Sequence, residues 1–442
     1  MSSSPALEPA TRRSLGQVFL VVFLDLVGFS IIFPLFPGML DWYLGQEGQN
    51  SLIGELVRAL DALTPGEEPN RFLTTVLFGG ILGSIYSLLQ FVFSPIWGRL
   101  SDKHGRRSIL MLTVGGTAIS YLLWIFSGSF ILLLFARALG GVMAGNIAVA
   151  TAAVADVTKP SERSRGMGLI GMAFGLGFII GPAIGGTASF LNLLDWLPSG
   201  ESWGLHPFSL PALLAFLLAL VNWVWIARSF KETREASART ATPQRKRFAF
   251  FGIKIASIRQ AINVYLVLLV AFAAMEFTLT FLAVERFAYS PRQLTLVFVF
   301  VGLVLAFTQG WFVRRYAGKI GETRCIILGL VLASCGLVAL GFAGNTVLFY
   351  FGLALLGAGI GITSPTLTAL VSLYSDDDSQ GANLGAFRSA GSLARAIGPF
   401  LGALLFWSLG SLTAYLIGAA AVGLAVLLAL KLPKPTEAQS KD

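Results

Sequence analysis

Three ionisable residues stand inside long apolar runs: Asp25 in Leu24-Asp25-Leu26-Val27-Gly28, Arg137 in Ala136-Arg137-Ala138-Leu139-Gly140-Gly141, and Glu276 in Ala274-Met275-Glu276-Phe277. On insertion scales a charge at membrane depth costs about 2.5 to 3.5 kcal/mol, so these side chains must face protein or water rather than hydrocarbon. A carboxylate in that position suits reversible proton binding, its affinity set by burial on one side and a neighbouring cation on the other. An arginine there does not give up its proton and acts as a fixed charge that tunes an acid beside it. Asp25 is the acid Arg137 is expected to meet. Arg388 and Arg395 lie seven residues apart in a later run, on one helix face, and Arg395 is the deeper of the two. A lipid headgroup, a substrate carboxylate or an internal acid would each satisfy it.

These residues need elements that cross a bilayer. The chain is 55% hydrophobic and 12% charged with a mean hydropathy of +0.75, far from the roughly 25% charge of soluble domains. Apolar runs of about 20 residues predict twelve membrane helices, centred near Val27, Ser84, Gly116, Val142, Gly177, Leu218, Phe272, Leu303, Ala333, Gly361, Ala396 and Val422. Of the 32 lysines and arginines, 25 fall in loops on the side of the N-terminus, four in loops on the other side and three within spans. Basic residues near span ends stay in the cytoplasm, so both termini are expected there. The net charge of +9 reflects this bias and gives no reason to invoke nucleic acid. The first span does not look like a cleaved secretory signal. His104 and His206 form no metal or catalytic cluster, which argues against an enzyme. Cys325 and Cys335 share one apolar helix and are expected to be buried small hydrophobes.

Sliding the chain by 217 residues superposes Leu139-Gly140 on Leu356-Gly357, Gly168 on Gly385, Gly181-Pro182 on Gly398-Pro399 and Gly185 on Gly402. The expected organisation is therefore a tail (1–14), a six-helix bundle (15–228), a basic linker (229–258), a second six-helix bundle (259–431) and a tail (432–442). An outer loop (41–71) carries Leu52, Ile53, Leu56, Val57, Leu60 and Leu63 at helical spacing, which predicts a short amphipathic surface helix.

Gly98-Arg99-Leu100-Ser101-Asp102-Lys103-His104-Gly105-Arg106-Arg107 fills the turn between spans two and three. It resembles the hallmark loop of the major facilitator superfamily, with every specified position matched. The fifth span reads G-x8-G-x3-G-P-x2-G-G through Gly168, Gly177, Gly181, Pro182, Gly185 and Gly186, and is similar to the signature that the superfamily associates with antiporters. The Asp25 segment resembles the first helix of its drug:proton antiporter branch, tetracycline exporters especially, and Arg137 resembles the fourth-helix arginine motif of the superfamily.

The resemblance implies an all-α polytopic fold of 12 transmembrane helices in two pseudo-symmetric six-helix bundles, moving around a midplane cavity. It implies proton coupling through Asp25, Arg137 and Glu276, and a cavity drawn from Asp25, Asn146, Glu276, Gln309 and Arg395. Gly98, Asp102, Gly105, Arg106 and Arg107, with Asp156 beside Arg163 and Arg165, would form a cytoplasmic gate. The expected activity is proton-coupled export of an amphiphilic small molecule, without cofactor or metal, by a monomer in a plasma or inner membrane. A facilitator or proton symporter for a metabolite or organic anion shares the same features. Tetracycline exporters also carry acids in the third and ninth helices, where this chain has Ala118-Ile119-Ser120-Tyr121 and no acid, respectively.

Overall fold

The computed structural model describes residues 9–63, 71–158, 160–233, 255–375 and 380–433. Every regular element among them is helical. The first half holds α1 (Pro9–Ser30), α2 (Phe36–Glu47), α3 (Leu52–Leu63), α4 (Arg71–His104), α5 (Arg106–Ile125), α6 (Phe130–Met143), α7 (Asn146–Val157), α8 (Pro160–Ala188), the one-turn α9 (Leu193–Trp196) and α10 (Ser209–Ser229). The second half holds α11 (Ala256–Phe287), α12 (Pro291–Phe307), α13 (Arg314–Ile320), α14 (Glu322–Gly341), α15 (Thr346–Leu373) and α16 (Gln380–Ala429).

Ten helical segments among the described residues are long and apolar enough to cross a membrane. Two features separate that number from the twelve expected. The 34-residue α4, at the second expected span, is not one of the ten. Ser389–Ala429 counts once although its 41 residues rise roughly 60 Å, about two hydrocarbon thicknesses. Gly410 interrupts α16 with a φ of 78°, a conformation open to glycine and costly for other residues. Large apolar side chains such as Leu303, Phe307, Leu424 and Leu427 point outward, as a lipid-facing surface requires.

Small residues set the packing around both acids. In α8, a Cβ at Gly177 would come 2.6 Å from the Leu26 Cβ, and one at Gly181 or Gly185 would overlap Ser30 Oγ or the Ile31 carbonyl oxygen. Ser30 Oγ also donates to the Gly177 carbonyl oxygen at 3.0 Å. The segment carrying Asp25 is thus pressed backbone to backbone on α8, as small-residue stripes permit in lipid. In the second half a Cβ at Gly398 would lie 2.6 Å from the Ala273 Cβ and one at Gly402 2.7 Å from the Ala274 carbonyl oxygen, flanking Glu276 in the same way. The halves meet where Gly79 and Gly80 of α4 face Phe277, Phe281 and Ala403, and where Phe36 and Phe277 lie 5.8 Å apart.

One end of the first half is tied by a buried polar latch. His206 Nδ1 accepts from the Phe208 N–H at 3.2 Å, so Nε2 carries the hydrogen and donates to the Trp124 carbonyl at 2.9 Å. Tyr43 donates to the Ser127 carbonyl at 2.6 Å, and the Phe130 N–H donates to Glu47 Oε1 at 2.6 Å. His206 is 0% exposed, and burial pushes its imidazole down to about 4, against a smaller opposing effect from the Trp124 carbonyl.

The amphipathic segment 52–63 is the helix α3, with Ile53 and Val57 buried and Leu52 exposed. Two expectations are corrected. Cys325 is buried but Cys335 is exposed, because ten residues of helix turn the two to different faces of an apolar span. The ninth helix is not free of acids, since α14 starts at Glu322; that acid occupies the first turn, where a helix N-terminus favours negative charge.

Candidate functional site

Asp25 is buried on α1. Asn146, the first residue of α7, lies beside its carboxyl and acts on it, yet neither amide atom of Asn146 reaches hydrogen-bond geometry with any group. Asn146 is brought there by a break in the helix pair: α6 ends at Met143, and the Trp97 indole N–H donates to the Val142 carbonyl at 2.6 Å.

Arg137 is 4% exposed. Its guanidinium lies 4.5 Å from the centroid of the Tyr86 ring and 5.9 Å from that of Phe29. No ion pair joins it to Asp25 among the described residues, which departs from the expected pairing. Tyr86 and Tyr121 instead neighbour both charges. The physical reason lies in α6: Gly140 leaves room for Tyr86 to close on Arg137, since a Cβ there would stand 3.0 Å from the Tyr86 ring and from Ser120 Oγ. The ring face then meets the cation, a contact worth about 0.5 to 2 kcal/mol.

In the second half Glu276 is half-buried, and Arg395 of α16 lies close enough to act on its carboxylate. An internal acid is thus one partner within reach of Arg395. Gln309 sits in a π-helical turn, Thr308–Val313, and no hydrogen bond ties it to the other four expected cavity residues among the described ones. Arg388 lies outside the described side chains.

The charged turn is organised around Arg106. Its guanidinium pairs with Asp102 at 2.8 Å and with Asp156 at 2.8 Å, and it donates to Ser101 Oγ at 2.6 Å. Gly105 makes the turn with a φ of 94°, which explains a glycine there. Glu232, just beyond α10, accepts from the Arg106 N–H at 2.8 Å and caps α5, satisfying a helix-end donor. Arg107 donates to the Ala227 carbonyl. Arg163, Arg165 and Gly168 fall outside the described side chains, while Gly177, Gly181, Pro182, Gly185 and Gly186 all lie buried on α8. In the second half Gly321 repeats the turn with a φ of 90°, but the π-turn and α13 that lead to it hold no acid, and Arg315 rests over the Tyr316 ring.

Sequence reasoning missed Tyr86, Tyr121, Trp124 and Glu232. The aromatic residues look like ordinary core in a chain with 35 Phe. Glu232 carried a weak signal, as an acid in the basic stretch just past the sixth span.

A family model described as Major Facilitator Superfamily matches residues 18–399 and 315–442. The chain is 32% identical over 462 residues to the mouse (Mus musculus) major facilitator superfamily domain-containing protein 10, covering 99% of this chain and 97% of that protein. It is 29% identical over 396 residues to the class B tetracycline resistance protein of Escherichia coli, covering 87% and 86%. The crystal structure of the human organic anion transporter MFSD10 superposes with a TM-score of 0.78 at 30% identity, over 96% of this chain and all of that one.

Proposed function

The chain belongs to the Major Facilitator Superfamily, a class of transporters rather than enzymes, and from that premise we propose that it is a proton-coupled antiporter exporting an amphiphilic small molecule by alternating access. Twelve spans would form two six-helix bundles, 15–228 and 259–431, joined by the 229–258 linker, with both termini cytoplasmic and the monomer working in a plasma or inner membrane. The observation that carries the reading is that Asp25 is buried in a span without an ion-pair partner among the described residues, so its proton is not excluded by a fixed salt bridge. Facing outward, Asp25 takes a proton as substrate leaves; facing inward, bound substrate and the positive charge of Arg137 favour its release. The two events exclude one another because a single carboxylate cannot be neutralised by a proton and serve as a counter-ion at once. The stripe Gly177, Gly181 and Gly185 supports the same reading by giving α1 a smooth rail on α8.

A second reading, a facilitator or proton symporter for an organic anion, is favoured by Arg395 and by the likeness to the human organic anion transporter MFSD10. Substrate-driven proton flux in liposomes separates the two, tested over cationic, neutral and anionic amphiphiles with Asp25→Asn and Glu276→Gln beside the wild type. Proton efflux in exchange for substrate, abolished in Asp25→Asn, supports antiport. Substrate movement that ignores the pH gradient and both substitutions rejects it and leaves a facilitator.

A further inference from the structure

The stretch between α8 and α10 turns large apolar side chains outward. Phe190, Leu191, Trp196, Leu197 and Trp203 are between 48% and 63% exposed, although the backbone that carries them is well fixed. Asn192 Oδ1 accepts from the Leu194 N–H at 3.1 Å and starts α9, and the Leu197 N–H closes its end on the Leu193 carbonyl at 2.9 Å. A tight helical turn, Pro198–Trp203, follows. Gly204 then takes a φ of 88° against the end of α5, where a Cβ would lie 2.5 Å from the Phe126 carbonyl oxygen. Leu205 and His206, next in the chain, are buried, while Phe126 adds its own exposed ring beside the turn. The helix α3, which follows Glu47 of the latch, does the reverse and buries Ile53 and Val57.

We propose that residues 190–203 form a docking surface for the headgroup and upper acyl region of the bilayer, held by apolar burial rather than by charge. Continuity with the lipid-facing surface is the first argument. The 21 residues of α10 begin just after the stretch and rise about 31 Å, one hydrocarbon thickness, so the chain ahead of Ser209 stands at the membrane boundary. On α10 itself Leu217, Leu220 and Val221 face outward. Composition is the second. Two exposed tryptophans combine an apolar ring with an N–H, which suits a boundary that is apolar on one side and wet on the other. Charge is the third: no lysine or arginine lies between Arg165 and Arg228, and Asp195 and Glu201 are exposed. Anionic lipid therefore has nothing to attract here, and the apolar side chains supply the affinity. In water the same patch would be an association hazard. Docked on lipid, it would fix the depth of the end of α8, the helix that clasps α1.

The test reads the two indoles in the full-length protein and needs no transport, so it stands apart from the proton-coupling reading. The protein is labelled with fluorotryptophan and placed in nanodiscs of phosphatidylcholine, which has no net charge. Trp196→Phe and Trp203→Phe each remove one fluorine resonance and thereby assign it; tyrosine at the same positions serves if a phenylalanine variant does not fold. Both lines should lose most of their intensity when lipid carrying a nitroxide near the top of the acyl chain is added, and little with a water-soluble gadolinium chelate. Broadening by the chelate equal to or greater than that by the lipid label would put the patch in water. Lines shielded from both agents would put it under a second copy of the chain or another protein. Either result overturns the docking surface.

Discussion

In the first half Asp25 and Arg137 share Tyr86 and Tyr121 as neighbours and form no ion pair among the described residues, whereas in the second half no such shared ring marks the approach of Arg395 to Glu276, close enough to act on its carboxylate. The surroundings of the two acids are otherwise alike: each lies on a helix clasped by a glycine stripe, α8 on α1 and α16 on α11. The contrast therefore lies in the cation. A guanidinium near a buried carboxylate favours its charged form against burial, while aromatic rings beside a carboxylate offer no such opposing charge. On the proposed reading, the first-half acid would exchange protons and the second-half acid, with Arg395 near it, would meet the substrate.

The largest expected effect tests that contrast directly. Asp25→Asn should reduce pH-gradient-driven flux in liposomes on the order of a hundredfold, more than 2 kcal/mol of coupling by the usual conversion, whereas Glu276→Gln should change the flux about tenfold or less and mainly alter substrate preference. Equal losses in the two variants would erase the distinction between the halves. Replacing Arg395 by Gln should weaken anionic substrates more than cationic ones if the second-half pair faces the cargo; a uniform loss across charges would make that pair structural.

A second expected effect belongs to the latch, where a neutral imidazole stands in contrast to the Arg106 guanidinium that organises the Gly98–Arg107 turn. In the unfolded chain the imidazole of His206 takes a proton near pH 6.5, but in the folded chain not until about 4. Between those values the unfolded state binds the extra proton. Stability is thus complete above about pH 6.5 and falls as pH drops toward 4, by roughly 3 kcal/mol at the limit. Melting temperatures of wild type and His206→Gln, measured from pH 7.5 to 4.5, should converge as the pH falls. Parallel curves would remove His206 from the acid sensitivity.

Much of this was legible in the chain. Asp25, Glu276 and Arg137 betray themselves because charge is rare and costly in apolar runs, and Gly177, Gly181 and Gly185 because their spacing leaves one helix face bare. The Arg106 hub could be anticipated from the density of charge around it. The neighbours of Arg137 could not, because Tyr86 and Tyr121 sit 51 and 16 residues away in sequence and nothing in an aromatic residue announces that it faces a cation. The approach of Arg395 to Glu276 was equally hidden, since it depends on how α16 packs across α11. A 50-residue element with a single non-helical glycine likewise obscures where one span ends and the next begins.

A smaller effect, of about 1 to 3 kcal/mol, follows from the glycine clasps. Gly185→Ala would set a Cβ on the Ile31 carbonyl oxygen, and Gly402→Ala would set one 2.7 Å from that of Ala274. Both oxygens belong to backbone that cannot turn aside, so helix separation is the available relief, and the closer approach in the first half calls for the larger movement. Scanning fluorimetry should therefore show Gly185→Ala melting lower than Gly402→Ala. Because α8 bears on α1 five or six residues beyond Asp25, the same displacement should also reduce coupled flux in Gly185→Ala beyond its loss of folded protein. If the two variants melt alike and Gly185→Ala keeps full flux per folded molecule, the clasp holds α1 in place without guiding it, and the difference between the halves reduces to their cations alone.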